Sequence, residues 1–255
     1  MCLIAFAWRE HADFPFVFAA NRDEFHARPT DGMAWWTDVD GLLAGRDLEA
    51  GGTWLALSKS GRIATVTNYR ETRTASAPRS RGELVRRFPA GAASPGDYLA
   101  TVDGDAYAGF SLLATDGREL AYGSNRGDEG RLLARGVYGL SNAALDTPWP
   151  KLVRTREGIR RLLSVGTVSL DNLLDLVADR EPAHRDEIPR TGLPIEHERA
   201  LSAPFIVSPE YGTRCSTAII CRTDGHIEVA ERRFDAGGEI SGESRFVFIA
   251  DSWAD

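Results

Sequence analysis

The residues best equipped for chemistry stand at the front of the chain: Cys2, then Asn21, Arg22, Asp23 and Glu24. With Met1 removed, Cys2 carries a thiol and a free α-amine on one residue. That amine titrates near about 8, so at neutral pH it can take the thiol's proton without a histidine. Arg22 alongside favours the thiolate by attraction of opposite charge. With Met1 retained, the amine moves about 3.8 Å along the chain and the base is lost. The bland alternative is a small buried hydrophobe at position 2 and a salt-bridged turn at residues 21–24. Asn68 and Asn142 fall at expected strand ends, where each offers an amide of the oxyanion-binding type; capping the next turn is the ordinary role. Arg214 opens a late strand and supplies a second cation for such a thiol.

These side chains meet only if the chain folds back on itself. Two apolar runs, residues 1–8 and 14–25, flank the polar Arg9–Asp13 and read as a hairpin of buried strands. In an antiparallel pair the start of one strand lies beside the end of the next, so Cys2 should meet residues 21–24. Residues 28–36 read as a connection ending in Trp35 and Trp36. Those two rings and Trp54 are candidates for lining a cleft, although core packing is the commoner use. Residues 42–47, 51–58 and 62–68 read as strands, the last two a hairpin with a glycine turn. Ser80 to Glu83 has the form of a capping box before a short helix, and Ser94-Pro95 introduces another. Three strands follow over 109–114, 119–122 and 136–141.

Pro148 and Pro150 open a helix with Leu152, Val153, Ile159, Leu162 and Leu163 on one face. Lys151, Arg154, Arg156, Arg160 and Arg161 form a basic stripe on the other, read as a solvated face. A second helix spans 170–177. Residues 180–204 carry four prolines and read as a long charged connection of the kind that covers a site. His184 and His197 lie there in no zinc-binding spacing, so no metal is expected, with ligation of a guest haem iron as a residual role. Strands over 214–221, 227–234 and 245–249 close the order. The absence of βα alternation and of a phosphate-binding glycine motif gives an α+β class with antiparallel sheets covered by helices, in one domain over 1–255.

A net charge of -7 and a pI near 5.4 argue against nucleic acid as a partner. Three cysteines make no disulfide framework and fit a reducing, cytoplasmic setting. No apolar run approaches the roughly 20 residues of a membrane span, so stable membrane insertion is not expected.

Met1-Cys2-Leu3, Ala20 to Phe25, Gly51 to Trp54, Thr67 to Arg70, Ser80 to Gly82, Leu140 to Asn142, Pro148 to Lys151 and Tyr211 to Arg214 together resemble the NRDE family, also called the Transport and Golgi organisation 2 family. The resemblance implies a four-layer αββα fold of the N-terminal-nucleophile hydrolase type. It also implies a link to haem trafficking and to acyl-lipid or acyl-CoA handling. More distantly, the chain is similar to the cysteine acylases that cleave bile-salt and penicillin amides. On that likeness Cys2 would be nucleophile and base, Arg22 would hold the thiolate and Asp23 would orient the amine. Asn68 and Asn142 would serve the oxyanion and the amine, and Arg214 would complete the frame. In the acylases the Arg and Asp are two residues apart, whereas Arg22 and Asp23 adjoin; either Asn21 and Glu24 take those positions or the site is built differently. Two functions follow: cofactor-free hydrolysis of a non-peptide amide or acyl small molecule through Cys2, or non-catalytic handling of haem or an acyl lipid as cargo. Asn21, Glu24, Trp35, Trp36 and Trp54 are the expected ligand contacts for either.

Overall fold

The computed structural model describes residues 2–71, 77–127 and 130–254. Strands β1 (Cys2–Trp8), β2 (Phe16–Phe25), β3 (Thr30–Trp35), β4 (Leu42–Asp47), β5 (Leu55–Ser58) and β6 (Ile63–Asn68) precede helices α1 (Gly82–Arg87) and α2 (Pro95–Ala100). β7 (Phe110–Thr115), β8 (Leu120–Ser124), β9 (Arg131–Leu132) and β10 (Gly136–Leu140) then lead to α3 (Pro150–Val165), α4 (Leu170–Val177) and α5 (Ile195–Leu201). β11 (Tyr211–Cys221), β12 (Asp224–Phe234) and β13 (Ile240–Ala254) follow. One sheet has the order β10-β1-β2-β11-β12-β13 and the other β3-β4-β5-β6-β7-β8-β9, with antiparallel pairing throughout.

Strand alternation explains which face each residue takes. Ile4, Phe6, Trp8, Phe16 and Phe18 join Leu55, Leu57, Leu113 and Tyr122 of the other sheet in one apolar cluster. The intervening Ala5, Ala7, Val17 and Ala19 are smaller and pack under Ile159, Leu173 and Leu174 of α3 and α4. Leu84, Val85 and Tyr98 of α1 and α2 cover Leu42, Ala44, Ala56 and Ala64 of the second sheet. Large side chains thus fill the space shared by the sheets, and small ones let the helices approach.

Four sequence expectations need correction. The stretch read as a connection over 28–36 contains β3, because Asp31 and Ala34 pair with Arg46 and Ala44 across an irregular register. The capping box does not form: α1 has no side-chain cap, and Glu83 pairs with Arg79 instead. Lys151 leaves the basic stripe, being 1% exposed in the first turn of α3 against the end of the first sheet. Val153, assigned to the apolar face, is exposed. The charged stretch over 180–204 is tied down by buried Glu198, which accepts from the Thr191 amide at 2.7 Å and from Arg70 Nη1 at 3.0 Å. No helix among the described residues is long and apolar enough to cross a membrane.

Candidate active site

The β1–β2 register sets Cys2 directly opposite Arg22. Directly opposed residues point to the same face, so the thiol and the guanidinium both face the second sheet. There they line a cleft of about 120 Å³ with Asp23, Glu24, Arg28, Thr53, Trp54, Asn68, Ser80 and Arg81. Arg22 is 6% exposed and stacks on the Trp54 ring at 4.3 Å. It pairs with Glu24 at 3.9 Å, and its Nη1 has no hydrogen-bond partner among the described residues.

Residue 2 is gripped through its backbone. Its nitrogen donates to Asn142 Oδ1 at 3.2 Å, and its carbonyl accepts from Ser141 Oγ at 2.9 Å. Asn142 sits just past β10 with φ 55, a left-handed conformation that its short polar side chain tolerates. Its Nδ2 donates to the Asn68 carbonyl at 2.8 Å, joining the ends of β6 and β10. Asn142 therefore holds Cys2 from behind, while Asn68 lines the cleft itself.

Burial, the largest influence, pushes the Cys2 thiol up and the Asp23 charge adds to it; the amino-terminal charge, the Arg22 charge and a hydrogen bond from the Asp23 backbone N–H pull it part of the way back. Burial also raises Asp23, against the charge of Lys151 and the hydrogen bond from Thr213 Oγ1, 2.7 Å long. Cys215 faces Arg22 from the opposite side, but it is 4% exposed and burial holds its thiol well above the usual range. It lies two strands, about 10 Å, from Cys2, beyond the reach of a disulfide.

Not every expected residue reaches the cleft. Asn21 turns to the helix side: its Nδ2 donates to the carbonyls of Val177 and Pro204 at 2.7 and 2.9 Å, and its Oδ1 accepts from Ser216 at 2.6 Å. Arg214 sits at a register shift in β11, and its Nη1 donates to the carbonyls of Phe25, His26 and Arg28. Trp36 is buried, with its indole N–H on the Ala44 carbonyl, and Trp35 packs edge-on to Phe248. Of the three tryptophans expected, Trp54 alone lines the cleft.

Two residues that the sequence did not single out are present instead. Arg81 lines the cleft, and its charge and that of a Cys2 thiolate attract. It arrives because α1 packs closely on the strand connection before β5: a Cβ on Gly52 would lie 2.7 Å from Gly82, and one on Gly82 would lie 2.8 Å from the Thr53 nitrogen. The signal was the pair of glycine motifs at 51–54 and 80–82, each legible but not linked. Lys151 lies on the opposite face, where Asp23 and Cys2 both feel its charge. Among the described residues, no three His, Cys, Asp or Glu side chains gather as for a metal ion.

A family model described as Transport and Golgi organisation 2 matches residues 1–236. The chain belongs to that family. The Transport and Golgi organization protein 2 homolog of Bos taurus is 35% identical over 255 residues, covering 91% of this chain and 92% of that one. The Homo sapiens homolog is 35% identical over 257 residues with the same coverage, and Drosophila melanogaster Transport and Golgi organization protein 2 is 41% identical over 66 residues, 24% of this chain and 23% of that one. Among solved structures, the Caenorhabditis elegans N-acylethanolamine-hydrolyzing acid amidase ortholog superposes with a TM-score of 0.50 at 7% identity, over 86% of this chain and 92% of that one. This Transport and Golgi organisation 2 family member thus shares its overall fold with that amidase.

Proposed function

We propose that the chain is an N-terminal cysteine hydrolase acting on a non-peptide amide or a related acyl small molecule. The observation that carries this reading is the hold of Asn142 on the Cys2 nitrogen, the atom that becomes the α-amine once Met1 is removed. With the sulfur beside Arg22, the freed amine takes the thiol proton and the sulfur attacks the acyl carbon. The carbon–nitrogen bond then breaks, the departing amine leaves with the proton from the α-ammonium, and a thioester remains on Cys2. Water adds to the thioester with the amine as base, and release of the acid restores the thiol. Asn68 and Arg81, which line the same cleft, would serve the charge that develops on the acyl oxygen. The division of apolar residues into three clusters supports the four-layer αββα stacking, and the unpaired cysteines fit a cytoplasmic protein.

Intact-mass measurement of the amino terminus followed by an acyl electrophile tests the reading. A chain beginning at Cys2 should gain one adduct, and Cys2→Ala should abolish it. No adduct on a chain with a free Cys2 amine would refute the proposal. Cargo handling draws support from the burial of the Cys2 thiol, which disfavours its thiolate. Saturable binding of haem or an acyl-CoA without turnover would favour it.

A further inference from the structure

The cleft around Cys2 is walled by side chains of both charges, and their pairing is uneven. Arg28 is answered by Asp47, whose Oδ2 accepts from its Nε at 2.8 Å. Arg22 meets Glu24 only at 3.9 Å, and its Nη1, though buried, has no hydrogen-bond partner among the described residues. Arg81 donates from Nη1 to the Gly109 carbonyl at 3.0 Å and pairs with no carboxylate among the described residues, since Glu71, which lies against Gly109, is taken by Arg126, and Glu83 by Arg79. The Cys2 sulfur can present at most one negative charge to these two guanidiniums. Each guanidinium offers five donors in a flat fork, and the two oxygens of a carboxylate match that fork. An acyl oxygen needs a donor or two, and Asn68 lies in the same cleft, so Arg81 has donors for a second acceptor. Size narrows the class further. At about 120 Å³ the cleft is well below the roughly 300–1,000 Å³ that hold a drug-sized ligand. Its apolar walls are Val66 and Trp54, the latter already covered by the Arg22 guanidinium at 4.3 Å. A long acyl chain finds neither the room nor the apolar surface there.

We propose that the Cys2 cleft is selective for a short acyl compound bearing a carboxylate: Arg81 and the open Nη1 of Arg22 hold the carboxylate while the carbonyl lies over the sulfur. This names the substrate class of the site, and it rests on the reading of Cys2 as the reactive group but not on turnover. Alkylation of Cys2 on the full chain, followed by intact mass, tests it with two reagents of nearly equal size, iodoacetate and iodoacetamide. In both, the thiolate forms a sulfur–carbon bond and iodide leaves; only the first carries a carboxylate. Cys215 and Cys221 are buried, and Cys2→Ala gives the background. The ratio of the iodoacetate rate to the iodoacetamide rate should exceed that of a peptide with the same leading residues by about tenfold, the effect of one charge-assisted hydrogen bond. Arg81→Gln should return the ratio towards that of the peptide. A wild-type ratio equal to the peptide's, or one that Arg81→Gln leaves unchanged, overturns the proposal.

A second measurement needs no variant. Propionate should slow iodoacetamide labelling of Cys2 saturably, and propionamide, of the same shape without the charge, should not. Decanoate should protect no better than propionate, because its tail meets no apolar wall. No protection by propionate, equal protection by propionamide, or stronger protection by decanoate overturns the proposal. Charge-selective alkylation without acyl-probe labelling would refute the hydrolase reading and leave this one standing; an acyl adduct with no preference for iodoacetate would do the reverse.

Discussion

Asn21 and Arg22 adjoin in β2 and are buried to a similar depth, 1% and 6% exposed, yet they face opposite sides of the sheet and meet opposite fates. On the helix side, Asn21 spends its amide on two backbone carbonyls and a serine, so the residue is structural. On the side facing the second sheet, Arg22 keeps Nη1 without a hydrogen bond among the described residues and leans on an aromatic ring. Leaving a buried donor unmade costs free energy that packing elsewhere must offset. A cleft that retains such a donor is prepared for a partner, while a face that uses up every polar atom is prepared only to hold. Lys151 lies on the helix side as a polar group without a hydrogen bond among the described residues, and its charge is felt by Asp23 and Cys2.

The sharpest way to break this comparison is Asn21→Leu, which leaves the Val177 and Pro204 carbonyls and the Ser216 hydroxyl without their partner. A loss of about 4 kcal/mol is expected in denaturant unfolding, with Cys2 alkylation retained in the folded fraction. Lys151 comes next. Its ordinary value is 10.5 and its value in the fold is about 8, so between the two the unfolded chain binds the extra proton and stability rises with pH. The contribution present above 10.5 is lost as pH falls through about 8, a difference of about 3 kcal/mol. Unfolding curves at pH 7 and pH 10 should show a steeper rise for wild type than for Lys151→Met. The smallest effect is expected of Trp54→Leu, about 2 kcal/mol from the lost ring under Arg22, with alkylation of Cys2 as fast as before or faster. If Trp54→Leu proves costlier than Asn21→Leu, the contrast between the faces is the wrong way round.

Much of the arrangement was legible from residue order. The opening hairpin follows from two apolar runs around a polar turn, and antiparallel pairing alone predicts that Cys2 meets the end of the second run, as the register with Arg22 shows. The same alternation of faces carries further than it was taken. Neighbours along an extended chain point apart, so Asn21 and Arg22 turn to opposite faces, as do Trp35 and Trp36; the two rings indeed go to different clusters. Arg214 was not legible because a register shift at that residue redirects it onto the backbone of residues 25–28. Lys151 was hidden for another reason. Helical spacing ranks it with the arginines of its face, and only the approach of α3's first turn to the sheet end buries it. Arg81 required a contact between two glycine-bearing loops some thirty positions apart, which no local pattern contains.

Ser141 and Asn142 grasp the second residue by its own carbonyl and its own nitrogen. Both contacts belong to atoms that survive when an aminopeptidase trims the leading methionine. On the proposed reading, these two anchors would keep the sulfur in place through the loss of that residue, so the pace of trimming would set when it becomes active.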